Sequence, residues 1–206
     1  MLNPRKGELT RIIDEDYSWD DDFLMKHLYD PCIEALAGED YRQIRKEAVY
    51  GPVTITLINW GQMLRVLHRK EYKGWEERLV KAIRQNGELL ENFKKMLLTK
   101  TDLQLYKNDI KKCYKDICNV VGYTAVAKTL HILAPDFFPM WDGEIRNRAR
   151  KESKKRINNT PDGYFEFMQV MKEFLQTHND ELSELSKKYK RPKLKLMDQY
   201  FWLVTR

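Results

Sequence analysis

Apolar residues recur at three- and four-residue intervals along nearly the whole chain, and no stretch sustains a two-residue alternation. That spacing is the period of one helix face, so the pattern predicts an all-α protein with about nine or ten helices. Candidate helices run through DDDFLMKHLYDPCIEALAG at 20–38, PVTITLINWGQMLRVLHRK at 52–70, GWEERLVKAIRQ at 74–85 and GELLENFKKMLL at 87–98. PVTITL is rich in β-branched residues, which suit strands. Ile55, Leu57 and Ile58 nevertheless continue in register with Met63, Leu64 and Leu67, as a buried helix requires.

Thr101 and Gln104 read as a capping box opening a helix through TDLQLYKNDIKKCYKDICNVV that ends near Val120. TAVAKTLHIL follows Gly122 and stops before Pro135, because proline disfavours helical geometry in the residue preceding it. Thr160 as cap, with Pro161 at the first helical position, opens TPDGYFEFMQVMKEFL, and KLMDQYFWLV is the last helix. No internal repeat, low-complexity tract or linker divides the chain, so a single all-α domain over 1–206 is expected.

Composition narrows the class. Hydrophobic residues at 42% and charged residues at 33% give enough apolar surface for a substantial core, which excludes a disordered chain. A formal net charge of +6 favours polyanionic partners such as nucleic acid. The cysteines, Cys32, Cys113 and Cys118, are odd in number and lack metal-ligand spacing, so neither a disulfide framework nor a metal site is indicated and a reducing, cytoplasmic setting is expected. No apolar run approaches the roughly 20 residues that span a bilayer, so no membrane partner is expected.

Candidate chemistry concentrates in FFPMWDGEIRNRARK at 137–151, where Asp142 stands between an apolar segment and a run of arginines. A carboxylate at that boundary can accept hydrogen bonds at a helix start, and its charge can also act on a substrate. Arg146, Arg148, Arg150 and Lys151, followed by Lys154, Lys155 and Arg156, form the densest basic run and could neutralise phosphates or simply face solvent. A second basic run, KKYKRPKLK at 187–195, reads as a solvated loop between helices, with nucleic-acid contact as the alternative. Lys128 interrupts the apolar run AVAKTLHIL, which calls for a partner such as Asp142 or Asp136; His131, three residues on, reads as a hydrogen-bonded core histidine. Trp60, Trp75, Trp141 and Trp202 read as core anchors, although Trp141 beside the acid could also stack on a base.

The segment VVGYTAVAKTLHILAPDFFPMWDGEIR at 120–146 resembles the core of the helix-hairpin-helix DNA glycosylases, the superfamily of endonuclease III and the adenine DNA glycosylases. Phe138-Pro139-Met140-Trp141-Asp142-Gly143, with Ile145 and Arg146, matches the loop of the adenine-specific branch, and the hairpin's Val-Gly falls on Val121-Gly122 without a gap. Cys118-Asn119-Val120 replace the hairpin's Leu-Pro-Gly, Thr124 stands where lyase members carry a Schiff-base lysine, and no four-cysteine iron–sulfur signature follows. A second resemblance, to uncharacterised helical proteins, rests on Leu130-His131-Ile132-Leu133, Pro135, Phe138-Pro139 and Asp142.

The first resemblance implies a glycosylase-like fold of two helical lobes, with segment 118–150 at the cleft. It implies Asp142 as the catalytic carboxylate of a monofunctional glycosylase without cofactor. Nucleic acid, DNA ahead of RNA, would be contacted by Gly122, Tyr123, Thr124, Arg146, Arg148 and Arg150, beside a pocket of Lys128, His131 and Trp141. A helical binding module without catalytic activity is the alternative from another class.

Overall fold

A computed structural model describes residues 2, 4–16, 28–61 and 73–205, except for the side chains of residues 16 and 58–61. The chain is all-helical: the described residues form eleven α-helices and no strand. In chain order these are α1 (Glu8–Asp16), α2 (Asp30–Ala37), α3 (Lys46–Gly61), α4 (Trp75–Gln85), α5 (Gly87–Lys94), α6 (Lys107–Val121), α7 (Val126–Leu133), α8 (Gly143–Ser153), α9 (Pro161–Thr177), α10 (Asn179–Tyr189) and α11 (Lys193–Thr205). The first part of the helix expected at 20–38 and the last part of that at 52–70, with Met63, Leu64, Leu67 and the side chain of Trp60, lie outside the described residues.

Several boundaries follow local chemistry that spacing alone did not reveal. Thr101 and Gln104 form no capping box. Asp102 is the cap, its side chain accepting the Gln104 N–H at 3.0 Å over a short 3-10 turn, Leu103–Tyr106, while the Thr101 hydroxyl donates to Leu97 O. The α-helix therefore starts only at Lys107. Asn86 separates α4 from α5: its buried amide donates to Ala82 O at 2.9 Å and to Asp116 at 3.0 Å, competing with continued helix. Thr160 and Pro161 open α9 as expected, with the Gly163 N–H donating to the Thr160 hydroxyl at 3.1 Å.

Helices α6 and α7 sit in the middle. Helix α7 packs against α2, α3 and α6, while α6 also meets α4, α5 and α9. Through α9 the core continues into α8, α10 and α11, and α1 closes on α10 and α11. Nearly all of the buried apolar residues described form one continuous cluster from Leu9 to Phe201. Its centre is aromatic: Phe137 stacks on Phe93 at 4.6 Å, and Trp141 meets Tyr114, Tyr164 and Phe167 at ring separations of 6.2, 5.1 and 5.1 Å. Pairs of this kind add about 0.5–1.5 kcal/mol each to the gain from area burial.

Two glycines occupy the same helical position in opposite surroundings. Gly87 opens α5 against the backbone of Arg42, where an added Cβ would lie 2.7 Å from the Arg42 Cα and 2.8 Å from its nitrogen. Gly143 opens α8 with no atom within 4 Å of such a Cβ. Gly87→Ala is expected to lower stability by about 1–3 kcal/mol through overpacking. Gly143→Ala is expected to raise it by about 0.4–1 kcal/mol by restricting the unfolded chain. Urea melts of the two variants check both signs, and a destabilised Gly143→Ala would refute the contrast.

Candidate functional site

Asp142 lies where the buried loop 134–141 surfaces. Its Oδ1 accepts the Ile145 N–H at 2.8 Å and its backbone is extended, the geometry of a helix N-cap, while the residue remains partly exposed. The loop is pinned along its length. The Tyr41 hydroxyl donates to Leu133 O at 2.7 Å and the Tyr164 hydroxyl to Pro139 O at 2.9 Å; the Leu98 N–H donates to Asp136 O at 2.9 Å. With Phe137, Phe138, Met140 and Trp141 all buried, little of the loop can move without opening the core.

The helix preceding the loop carries the polar residues that this burial makes costly. All eight residues of α7 are buried, including Lys128, Thr129 and His131. The Thr129 hydroxyl donates to Ala125 O at 3.0 Å. His131 Nδ1 lies 2.8 Å from Phe138 O, a pure acceptor, so Nδ1 carries the proton and Nε2 accepts from the Tyr29 hydroxyl at 2.7 Å. Both ring nitrogens are thus satisfied by the neutral form. Burial pushes its pKa down to about 4 against the partial opposition of the Phe138 carbonyl.

Lys128 is only 7% exposed. Burial lowers its pKa, and the negative charges of Asp198 and Asp142, both within electrostatic reach, oppose that shift. Lys128 thus feels the charge of Asp198 before that of Asp142, whereas His131 points toward Tyr29 and the loop. Trp141 is 1% exposed, a core residue rather than a surface for a base; its Nε1 and the Tyr114 hydroxyl are buried without a hydrogen-bond partner among the described residues. Trp75 is also buried, and Trp202 is partly exposed.

The arginines of α8 differ among themselves. Arg146 holds its guanidinium 5.8 Å from the Trp141 ring and donates to Asn159. Arg148 donates to Glu152 at 2.9 Å and to Val204 O at 2.6 Å, while Arg150 and Lys151 are exposed. Gly122 takes a positive φ of 82° at the end of α6, which suits glycine, and next to it Tyr123 is 54% exposed and Thr124 partly exposed.

The second basic run is a loop only at 190–192. Lys187–Tyr189 end α10 and Lys193–Lys195 begin α11. Lys188 and Tyr189 both bond Asp14, Arg191 bonds Asp30 at 2.7 Å, and Lys195 bonds Asp198 at 2.9 Å. Lys195 also lies 5.6 Å from the Tyr29 ring. Tyr29, which bonds His131 of α7, thus has Lys195 beside it and, through Lys195, Asp198. Only the i, i+3 spacing of Lys195 and Asp198 was a signal in the sequence, and nothing there tied them to Tyr29.

No protein-family model matches the chain, and neither a curated protein nor a solved structure matches it. Among the described residues no group of His, Cys, Asp and Glu is placed to hold a metal ion, and no helix is long and apolar enough to cross a membrane.

The neutral state of His131 has a consequence for pH. In the unfolded chain its pKa is near 6.5 and in the fold about 4, so acidification loads the unfolded state first. The stabilisation is complete above 6.5 and is lost as pH falls from 6.5 toward 4, a gap worth about 3 kcal/mol. His131→Gln is expected to be less stable at neutral pH and to lose less between pH 7 and pH 4. Denaturant melts at both pH values test this, and equal acid sensitivity of variant and parent would remove His131 as the cause.

Proposed function

We propose that the chain binds nucleic acid, DNA ahead of RNA, through the basic helix α8, and that Asp142 is the carboxylate of a monofunctional DNA glycosylase in a helix-hairpin-helix-like fold. The observation that carries the reading is the partly exposed Asp142 at the head of a helix whose surface holds Arg146, Arg148, Arg150 and Lys151. Phosphates held along that helix place the sugar of one nucleotide opposite the acid. Hydrolysis of the N-glycosidic bond leaves its electron pair on the departing base while the sugar develops positive charge at C1′; water then adds there, and the proton it gives up balances, through solvent, the one the base takes on leaving. The Asp142 charge stabilises the sugar cation, and the Ile145 N–H holds the carboxylate in place.

The burial of Trp141 favours a second reading, because the aromatic next to the acid offers no face to an extruded base. Under that reading the same surface belongs to a binding module without catalytic activity. Incubation with duplexes bearing different damaged or mismatched bases, followed by alkali to break abasic sites, separates the two. Alkali-dependent breaks establish the glycosylase, and binding without breaks across the panel establishes the module.

Asp142→Asn separates cap from charge. Asparagine caps a helix about as well as aspartate, so the loss in stability is expected to be about 0.3–1 kcal/mol, the charge interaction with the helix end. Affinity for DNA should hold or rise as a negative charge leaves, and base release should fall about a hundredfold or more. A variant that is folded, binds DNA and releases base at the parental rate excludes Asp142 as the catalytic group. In parallel, Arg146, Arg148 and Arg150 changed together to Ala should flatten the slope of log affinity against log salt by roughly 0.9 for each duplex phosphate that is no longer neutralised. An unchanged slope would place the DNA elsewhere.

A further inference from the structure

The break between α4 and α5 is made by the chain's one Asn-Gly pair, Asn86-Gly87. Asparagine followed by glycine is the dipeptide most prone to deamidate, because glycine leaves its own backbone nitrogen unhindered beside the asparagine side chain. The packing nonetheless calls for both residues. A Cβ at 87 would lie 2.7 Å from the Arg42 Cα. Asn86 is 1% exposed and uses both ends of its amide: Nδ2 donates to Ala82 O at 2.9 Å and to Asp116 Oδ2 at 3.0 Å, while Oδ1 accepts from Lys112 Nζ and from the Cys113 thiol at 3.7 Å.

The same contacts hold the pair in an unreactive geometry. Closure to a succinimide joins the Gly87 nitrogen to Asn86 Cγ, and the five-membered ring requires that nitrogen to eclipse Cβ about the Cα–C bond. The Asn86 ψ of 13° eclipses it with the Asn86 nitrogen instead. Bringing it round to Cβ swings the Asn86 carbonyl away from the Leu90 N–H, which it accepts at 2.9 Å as the first bond of α5, and pulls Gly87 off the Arg42 backbone. The side chain must also leave Ala82 O and Asp116. Reaction therefore requires the α4–α5 junction to open.

We infer that Asn86 is a latent deamidation site, held shut by the fold and reached through opening of the α4–α5 junction, and that its product hinders reclosure. Nucleic-acid binding by α8 plays no part in this chemistry, whose one co-reactant is solvent water. The Gly87 nitrogen loses its proton to solvent and attacks Cγ; the N–Cγ bond forms, the Cγ–Nδ2 bond breaks, and Nδ2 leaves with its electron pair and takes up a proton as ammonia. Water then adds to either carbonyl of the imide, and the Gly87 nitrogen recovers a proton as the ring opens, giving aspartate or isoaspartate at position 86. Aspartate sets a carboxylate oxygen against Ala82 O and Asp116, acceptor facing acceptor, and leaves Lys112, which bonds both side chains, as counter-charge to two carboxylates. Isoaspartate inserts a methylene into the main chain where Gly87 already lies against Arg42.

The test is incubation of the full chain at mildly alkaline pH, in native buffer and in guanidinium chloride, with peptide mapping by mass spectrometry to follow conversion of amide to acid at Asn86. Conversion is expected in denaturant, and the native rate is expected to be about a hundredfold lower or more, since only the opened fraction reacts. Asp116→Ala, which removes one acceptor of the Asn86 amide, should raise the native rate about tenfold. It should leave the denatured rate unchanged, because residues 85 to 87 are the same, and circular dichroism checks that it folds. Deamidated chain, separated by ion exchange, should unfold at lower denaturant than the parent. Equal native and denatured rates, or no conversion in denaturant, overturn the latent site. A native rate in Asp116→Ala equal to the parent's overturns junction opening as the route, and a deamidated chain as stable as the parent overturns the block on reclosure.

Discussion

The complete enclosure of α7 is the constraint from which the rest of the site follows. An eight-residue helix with no exposed face has no solvent to satisfy its polar groups, so each of Lys128, Thr129 and His131 must find its complement within the protein. His131 meets that demand by reaching two elements at once, the Tyr29 hydroxyl at the start of α2 and the Phe138 carbonyl in the following loop. The Tyr41 hydroxyl takes the carbonyl of Leu133 at the helix end. Burying α7 therefore also fixes the path of 134–141, and with it the position at which Asp142 emerges.

The same demand governs the acid. A carboxylate released at the end of a tightly packed aromatic loop would sample many orientations if nothing held it, but the Ile145 N–H engages one oxygen at 2.8 Å. The positive end of the α8 dipole attracts its negative charge. Preorganisation of this type costs no rearrangement when charge develops on a substrate, which is why a group used as a cap is also suited to electrostatic work. The two roles differ in what they require: a cap needs an oxygen, whereas stabilising a cation needs the negative charge.

Much of this was legible where the signal was local. The 3.6-residue period gave the helical class, Thr160 with Pro161 marked the start of α9, and Asp142 marked the start of α8, because capping depends on residues only a few positions apart. Spacing failed where a distant group decided the outcome. Asn86 breaks α4 from α5 with help from Asp116, thirty residues on. At Thr101 the failure was local instead, because the adjacent Asp102 competed for the same N–H. The enclosure of Trp141 depends on Tyr114, Tyr164 and Phe167, none of which its sequence neighbours announce.

The two basic runs show most clearly why composition underdetermines function. Read as strings they are equivalent, each dense in lysine and arginine and each adjacent to a helix boundary. Folding separates them by what lies opposite. Asp14, Asp30 and Asp198 meet the run at 188–195, and Lys195 with Arg191 is drawn into the protein, where its charge serves packing. Along 146–156 the acids are fewer and farther out: Glu152 holds Arg148 and Glu173 holds Lys155, while Arg150, Lys151, Lys154 and Arg156 face solvent. Exposed charges interact through water and exert their field outward, whereas paired buried ones largely cancel at a distance. The net charge of +6 is accordingly not spread evenly over the surface. Much of its accessible part gathers on α8 and the residues just after it, and α8 is the helix that Asp142 opens, so the exposed positive charge and the capping acid belong to one element.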